Sequence, residues 1–457
     1  MLQNMRRIRF VELQLLITAL LFFASGYVLT AAARPGSAFT RTAQGLLQLL
    51  WPSSLPLLMF VAISFILSWR LPRADQLLLP LVAVLAGLGL LLMARFQPSF
   101  KAQGLLTRYG KVADKQTVFV TMGVALLLFM ALAPLDRLFI RMQRMSLMDW
   151  LKNHRWVWMV IVLLMVAITF VFGEGPPGQD QKLWIDLKVF QFQPSELLKL
   201  ALVIFMASYL DEYREVVAHG YQIGRITLPP LPHLVPMVGM WGLTMVFIFV
   251  QKDLGSALLL FGIFLAMLYA ATGKGWYVVV GMLAFAGGSY GLYRVIPRVG
   301  ERVADWLNPW AQAATSGYQE VQAQYALSAG GVFGTGLGQG SPTIVPAIHT
   351  DFIFAAVGEE LGQAGALAVL LLFILLMYRG YHIAVSLNGR FRGFEQLFAV
   401  GLTSIIAFQA FIIIGGVLRV IPLTGVTLPF LSYGGSSILI NFLIIGLLLR
   451  ISAGRSA

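Results

Sequence analysis

Apolar runs long enough to cross a bilayer recur along this chain, and they leave few folds open to it. A helix needs roughly 17–25 predominantly apolar residues to span the hydrocarbon core. By that criterion twelve runs stand out: 10–33, 55–69, 77–94, 117–134, 156–173, 196–210, 232–250, 254–271, 276–293, 353–378, 396–418 and 436–450. They predict an all-α, polytopic integral membrane protein. Only 12% of the residues are charged, against roughly 25% in a soluble domain. A large soluble core therefore does not explain the apolar content. No internal repeat and no separate soluble domain is visible.

The net charge of +13 first suggests nucleic acid. Lys and Arg gather between the apolar runs, however, where cytoplasmic loops hold them against anionic lipid. Membrane lipids, and no nucleic acid, are the expected partners of these charges. The chain has no cysteine, which excludes disulfides, thiolate metal sites and cysteine nucleophiles. Five histidines are scattered, without metalloprotease spacing. Arg6, Arg7 and Arg9 precede the first run and no small-residue cleavage site follows, so the run reads as a retained span with a cytoplasmic N-terminus. Alternation then places 135–155 (Arg137, Arg141, Arg144, Lys152, Arg155), 379–395 (Arg379, Arg390, Arg392) and the C-terminus (Arg450, Arg455) inside. It places 95–116 (Arg95, Lys101, Arg108, Lys111, Lys115) and 294–350 outside.

Segment 294–350, between the ninth and tenth spans, is much longer than an ordinary connection, and such loops are usually functional or disordered. Trp306, Trp310, Tyr318, Tyr325 and Phe333 offer surface to bury, which argues against disorder. Gly330, Gly331, Gly334, Gly336, Gly338 and Gly340 predict tight turns and close backbone approach.

Four polar sets sit where charge is costly. In Gln193-Pro194-Ser195-Glu196-Leu197-Leu198-Lys199, proline suits a first helical turn, and Glu196 and Lys199 at i and i+3 share a face. They are either a locally paired helix start or a polar lining for an anionic ligand. Trp184 and Lys188 flank an expected interfacial segment, Leu183–Phe192. Asp253, between two spans, is placed to cap the next helix and can still face an outer cavity. His349, Asp351, Glu359 and Glu360 enter the next span, where carboxylates do not face lipid. Arg294, Arg298 and Arg302 would join them in a network, or would bind a pyrophosphate. Finally, Pro422–Ser437, with Ser432, Gly434, Gly435 and Ser436, carries two prolines and three glycines and cannot be a regular span. It is either a re-entrant turn that packs or a nest of backbone N–H groups for an anion. These residues alone suit a transporter as well as an enzyme acting on a lipid-linked anionic substrate.

Six ordered motifs make the chain recognisable: FQPSELLKL (Phe192–Leu200), QKDLGSALL (Gln251–Leu259), the frame Asn308–Trp310 with Ser316–Gln319, GGVFGTGLGQG (Gly330–Gly340), HTDFIFAAVGEELG (His349–Gly362) and PLTGVTLPFLSYGGSS (Pro422–Ser437). On these the chain resembles the shape, elongation, division and sporulation (SEDS) family, the FtsW, RodA and SpoVE proteins of bacteria, over about residues 77–452. The resemblance implies a ten-span core over 77–457, with residues 1–76 as two extra N-terminal spans, in the bacterial cytoplasmic membrane with both termini cytoplasmic. It also implies glycosyl transfer, the polymerisation of lipid II into peptidoglycan at the outer leaflet. An acceptor sugar hydroxyl attacks the anomeric carbon that bears undecaprenyl pyrophosphate. An acidic residue of the outer loop acts as general base. Basic groups or a divalent cation, magnesium or manganese, would stabilise the leaving pyrophosphate. A class B penicillin-binding protein, a transpeptidase, would dock near 353–378 and 396–418. The substrate-side residues implied are Gln193, Ser195, Glu196, Lys199, Asp253, Trp310, Tyr318, His349, Asp351, Glu359, Glu360, Ser432, Gly434, Gly435 and Ser436.

One position departs from the family pattern. Gln312 stands where the family's loop has the aspartate that serves as base, and a glutamine cannot accept a proton as a carboxylate does. The expectation is an impaired glycosyltransferase, or a variant whose base lies elsewhere. Asp305 and Glu320 are near in sequence but match no functional position of the family. A lipid II flippase and a non-catalytic scaffold for the transpeptidase are the alternatives.

Overall fold

The computed structural model describes residues 9–33, 43–102, 110–175, 182–186, 191–218, 221–223, 226–228, 230–387 and 392–454. The expected orientation charges Arg6, Arg7, Arg108, Arg390 and Arg455, and the flanking Lys188, lie outside these residues. Each of the twelve expected spans falls on a helix. These are α1 Phe10–Ala32, α2 Ala43–Arg70, α3 Leu78–Ala102, α4 Val112–Leu132, and, after the short α5 Leu135–Gln143 and α6 Leu147–Asn153, α7 Arg155–Phe172 and α8 Pro194–Ala218. Then follow α9 Leu231–Val250, α10 Leu254–Thr272, α11 Gly275–Val295, α12 Pro297–Leu307, α13 Tyr318–Gly330, α14 Ile353–Ser386, α15 Gly393–Val417 and α16 Gly435–Ala453. Among the described residues ten helices are long and apolar enough to cross a membrane. In α2 the apolar part is the shorter Ser54–Arg70. α8, which carries Glu196, Lys199 and Asp211, is not among the ten.

The described residues of Leu183–Phe192 form a small hairpin. Ile185–Asp186 (β1) pairs antiparallel with Gln191–Phe192 (β2). The stretch from Ile185 to Val189 alternates apolar and polar residues, the two-residue period of a strand. A second small hairpin joins Tyr221–Ile223 (β3) to Ile226–Leu228 (β4).

The helices form two compact units. The first gathers Met1–Leu132, Glu301–Arg379 and Gln409–Ala457. Within it α4 and α16 pack closely. A Cβ on Gly123 would lie 2.3 Å from the Phe442 ring, and one on Gly446 would lie 2.8 Å from the Leu127 carbonyl. Small residues let membrane helices approach in this way. The two N-terminal helices pack on α3 and α4. A buried polar chain ties them there: Arg9 pairs with Glu12 at 2.6 Å and donates to the Ala74 carbonyl at 3.1 Å, and Arg379 Nε reaches Asp75 at 3.1 Å. Arg379, expected as a loop charge, is therefore a partner inside the helix bundle.

The second unit comprises Ala133–Gly300 and Gly380–Phe408, with α8 against α6, α7, α9 and α10. A Cβ on Gly401 would meet Val203 at 2.4 Å, and one on Gly262 would meet Phe408 at 2.9 Å. Gln251 donates to the Thr169 hydroxyl at 2.7 Å.

Segment 294–350 is folded throughout, and its residues 301–350 belong to the first unit. α12 leads into a 3-10 turn, Pro309–Gln312, then α13, then a glycine-rich turn and a second 3-10 turn, Pro342–Ile344. The span expected at 353–378 is not continuous. Gly362 has φ 70° and ψ −172° inside α14, a conformation essentially restricted to glycine. The break frees backbone groups that cannot be left bare at membrane depth. Gln363 and Ala364 donate to the carbonyls of Gly331 and Val332, both at 3.0 Å. Thr335 and Gly336 donate to those of Glu359 and Glu360, at 2.9 and 3.1 Å. The glycine-rich turn is thus stitched into the break in α14. A Cβ on Gly334 would lie 2.3 Å from the Glu360 carbonyl.

Candidate active site

The stitched turn presents two buried carboxylates. Glu360 accepts from Arg95 Nε at 2.9 Å and from the Gly338 N–H at 3.2 Å. Glu359 accepts from the Ser341 N–H at 2.6 Å. Arg95 also donates to the Gly340 carbonyl at 2.7 Å. The arginine paired with Glu360 is therefore Arg95. α3 runs to Ala102, eight residues beyond its expected end at 94, so Arg95 lies on a buried helix and not in a loop. Arg302 instead donates to the Leu423 carbonyl.

His349 and Asp351 form a turn that docks on Pro422–Ser437. The Tyr433 N–H donates to the His349 carbonyl at 2.8 Å. The Ser432 hydroxyl donates to the Thr350 carbonyl at 2.6 Å and accepts from the Leu428 N–H at 2.9 Å. The His349 ring lies 5.6 Å from Phe100 and 5.8 Å from Tyr433. Gly434 precedes α16; Gly435 and buried Ser436 open it. A Cβ on Gly435 would lie 2.9 Å from the Phe119 ring. The N–H groups of Leu428, Ser432 and Tyr433 are all spent inside the protein, so these three form no anion nest and this part of the stretch packs.

The third cluster surrounds position 312. Gln312 ends the 3-10 turn, and its carbonyl accepts from Thr315 and Gly317 at 3.0 and 3.1 Å. A Cβ on Gly317 would meet the Pro309 carbonyl at 2.4 Å, so the frame Asn308–Trp310 and Ser316–Gln319 closes as one tight loop. Trp310 is half-exposed and packs edge-on to Tyr325 at 5.5 Å; Tyr318 is partly exposed. Asp305 is only 6% exposed. The Ser316 hydroxyl donates to Asp305 Oδ1 at 2.8 Å and also contacts Gln312 Oε1. Glu320 has one carboxylate oxygen buried without a hydrogen-bond partner among the described residues. Burial, and then the charge of Asp305, push its carboxyl above the usual range, against the opposing pull of Arg302 and Arg419. Arg419 grips the end of α12 by donating to the Trp306 carbonyl at 2.6 Å, and Trp306 Nε1 donates back to the Arg419 carbonyl at 2.8 Å.

In the second unit, α8 begins at Pro194. Lys199 Nζ lies 2.7 Å from Glu196 Oε2, with both residues buried. The local pair is formed as its spacing predicted. Buried Ser195 and the preceding Gln193, whose carbonyl accepts from the Glu196 N–H at 3.1 Å, complete the helix start. Asp253 caps α10, accepting from the Ser256 N–H at 3.0 Å. Among the described residues no three His, Asp or Glu side chains converge as a metal site. The acids near position 312 are flanked by two arginines instead, so the described residues do not by themselves fit a divalent cation.

A family model described as cell cycle protein, FtsW, RodA and SpoVE, matches residues 75–457. The chain belongs to the FtsW/RodA/SpoVE family. A family relative named peptidoglycan glycosyltransferase RodA, from Mycobacterium bovis, is 37% identical over 391 residues, 84% of this chain and 79% of the relative. Stage V sporulation protein E of Bacillus subtilis is 36% identical over 307 residues, 65% of this chain and 80% of the relative. A solved chain from a study of the structural coordination of polymerization and crosslinking by a peptidoglycan synthase complex aligns with TM-score 0.64 and 26% identity, over 84% of this chain and 98% of that one. The rod shape determining protein RodA of Thermus thermophilus shares the fold, with TM-score 0.55 and 24% identity over the same shares. Like these family members, the chain is a multi-pass membrane protein.

Three features escaped the sequence reading: Arg95, Arg419 and the Ser316 bridge to Asp305. Arg95 carried a signal, a lone arginine directly after an apolar run with no acid nearby in sequence. The other two depend on how the loop folds back.

Proposed function

We propose that this protein is a peptidoglycan glycosyltransferase that polymerises lipid II at the outer leaflet of the bacterial cytoplasmic membrane, with both termini in the cytoplasm. Family membership over residues 75–457 and the names of its relatives support the reaction class. The carrying observation is the ordered segment 294–350, which holds polar side chains on a folded frame rather than on a free loop. Such pre-organisation is what a glycosyl transfer site requires.

In the reaction the acceptor sugar hydroxyl loses its proton as its oxygen attacks the donor's anomeric carbon. The bond to undecaprenyl pyrophosphate breaks, and the leaving group departs with the electron pair. The exposed faces of Trp310 and Tyr318 suit the apolar face of a sugar. Glu359 and Glu360, neutralised by Arg95 and backbone N–H groups, hold the wall of the site. Glu196 and Lys199, taken within the second unit alone, are a separate candidate contact for lipid II. A class B penicillin-binding protein is the partner, its transpeptidase crosslinking the strands made here.

The test is polymerisation of lipid II by the purified full chain in proteoliposomes, with and without the transpeptidase. Glycan strands and released undecaprenyl pyrophosphate are expected. Flipping of lipid II across the vesicle wall with no glycan made would replace this reading with the transporter.

A further inference from the structure

Gln312 leaves the glycosyltransferase without a carboxylate at the family's position, and the structure offers one close by. The geometry points to Asp305, acting through the Ser316 hydroxyl, as the proton acceptor of this chain's transfer reaction. The inference rests on the glycosyltransferase reading above.

Three observations carry it. First, Ser316 is exposed while Asp305 is buried, so the hydroxyl is the accessible end and the carboxylate the protected end of one hydrogen bond, 2.8 Å long. Second, the same hydroxyl contacts the Gln312 side chain. A carboxylate at 312 and the carboxylate of Asp305 would thus address the same point of the site, one hydroxyl apart. Third, a hydroxyl has a single proton to give, and an ionised carboxylate is the stronger acceptor. With that proton on Asp305, the Gln312 amide turns its NH2 toward Ser316 Oγ; amide O and N are interchangeable by such a turn. The row Gln312 amide, Ser316 hydroxyl, Asp305 carboxylate then runs donor to acceptor. A glutamine fits this row, whereas an aspartate at 312 would set two carboxylates on one hydroxyl.

The proton balance is simple. The acceptor sugar O–H gives its proton to Ser316 Oγ, while the Ser316 proton passes to Asp305 Oδ1. The sugar oxygen forms its bond to the anomeric carbon, and the carbon–oxygen bond to the pyrophosphate breaks with both electrons leaving on undecaprenyl pyrophosphate. Asp305 ends protonated and returns its proton to water through Ser316. Glu320, in the first turn of α13, lies near the same acid, and burial together with that acid's charge raises its carboxyl.

The experiment measures initial rates of lipid II polymerisation for the unaltered full chain, Asp305→Asn, Ser316→Ala, Ser316→Thr and Glu320→Gln, all with the transpeptidase present, together with their melting in detergent. A positioned base contributes about 10²–10⁴-fold, so Asp305→Asn should lose that much in kcat with KM for lipid II little changed. Ser316→Ala should lose kcat likewise and Ser316→Thr, which keeps the hydroxyl, should recover most of it. A structural role would instead move KM and melting together and would not distinguish Thr from Ala. Asp305→Asn within threefold of the unaltered chain overturns the inference while leaving the glycosyltransferase reading intact, as does a collapse confined to Glu320→Gln. No glycan from the unaltered chain overturns both.

Discussion

Substituting Gly362 by alanine tests how the break in α14 is held. At φ 70° and ψ −172° a side chain costs about 1–3 kcal/mol in backbone strain. Its Cβ would also lie 2.2 Å from the Gly334 N and 2.5 Å from the Val332 carbonyl. Both contacts are backbone, so the glycine-rich turn must move. Displacing it endangers the two hydrogen bonds from Gln363 and Ala364, each worth about 0.5–1.5 kcal/mol. The sum is roughly 2–6 kcal/mol. Gly288 in α11 is the matched control, because a Cβ there meets nothing within 4 Å, and alanine is favoured over glycine in a helix by up to about 1 kcal/mol. Thermal melting of the purified protein in detergent, followed by tryptophan fluorescence, should show Gly362→Ala clearly below and Gly288→Ala at or slightly above the unaltered chain. Equal melting of Gly362→Ala and the unaltered chain would refute the claim that the turn is locked into the break.

Removing Arg95 leaves Glu360 buried and uncompensated, so Arg95→Ala should cost about 3–5 kcal/mol, and Glu360→Gln in the same chain should recover part of it on denaturation in detergent. Lys199→Ala should likewise destabilise by about 3–5 kcal/mol, whereas Glu196→Gln with Lys199→Met should melt near the unaltered chain yet bind lipid II more weakly in a pull-down with labelled lipid; unchanged binding would return the pair to a purely local role. The raised Glu320 carboxyl keeps its proton in the folded state beyond the ordinary glutamate value of about 4.3. Its contribution to stability is therefore full below that value and lost as pH rises through the folded-state value. Glu320→Gln should gain melting temperature relative to the unaltered chain across that rise, and a pH-independent difference would contradict the assignment.

The helices under the expected spans were legible because hydrocarbon thickness sets one length and most of the apolar runs reach it, α2 and α8 excepted. The Glu196–Lys199 pair and the Asp253 cap were legible for a related reason, since both depend only on spacing along one helix. The break at Gly362 was hidden because nothing local sets Gly362 apart from the nearby Gly358 and Gly365; only the facing turn, Gly331–Gly336, reveals why the chain needs a glycine there. Arg95 and Arg419 pair with groups more than a hundred residues away, to which no local pattern points. The Asp305–Ser316 bridge spans just eleven residues, yet it needs the tight loop at Gly317 to bring its ends together.

This chain is expected to make glycan with Gln312 in place. Lipid II polymerisation by the unaltered purified protein, reconstituted with its transpeptidase, tests it most directly. Strands of many disaccharides, with undecaprenyl pyrophosphate released in step, are the predicted result. Lipid II recovered intact, with strands appearing only after Gln312→Asp, would contradict it.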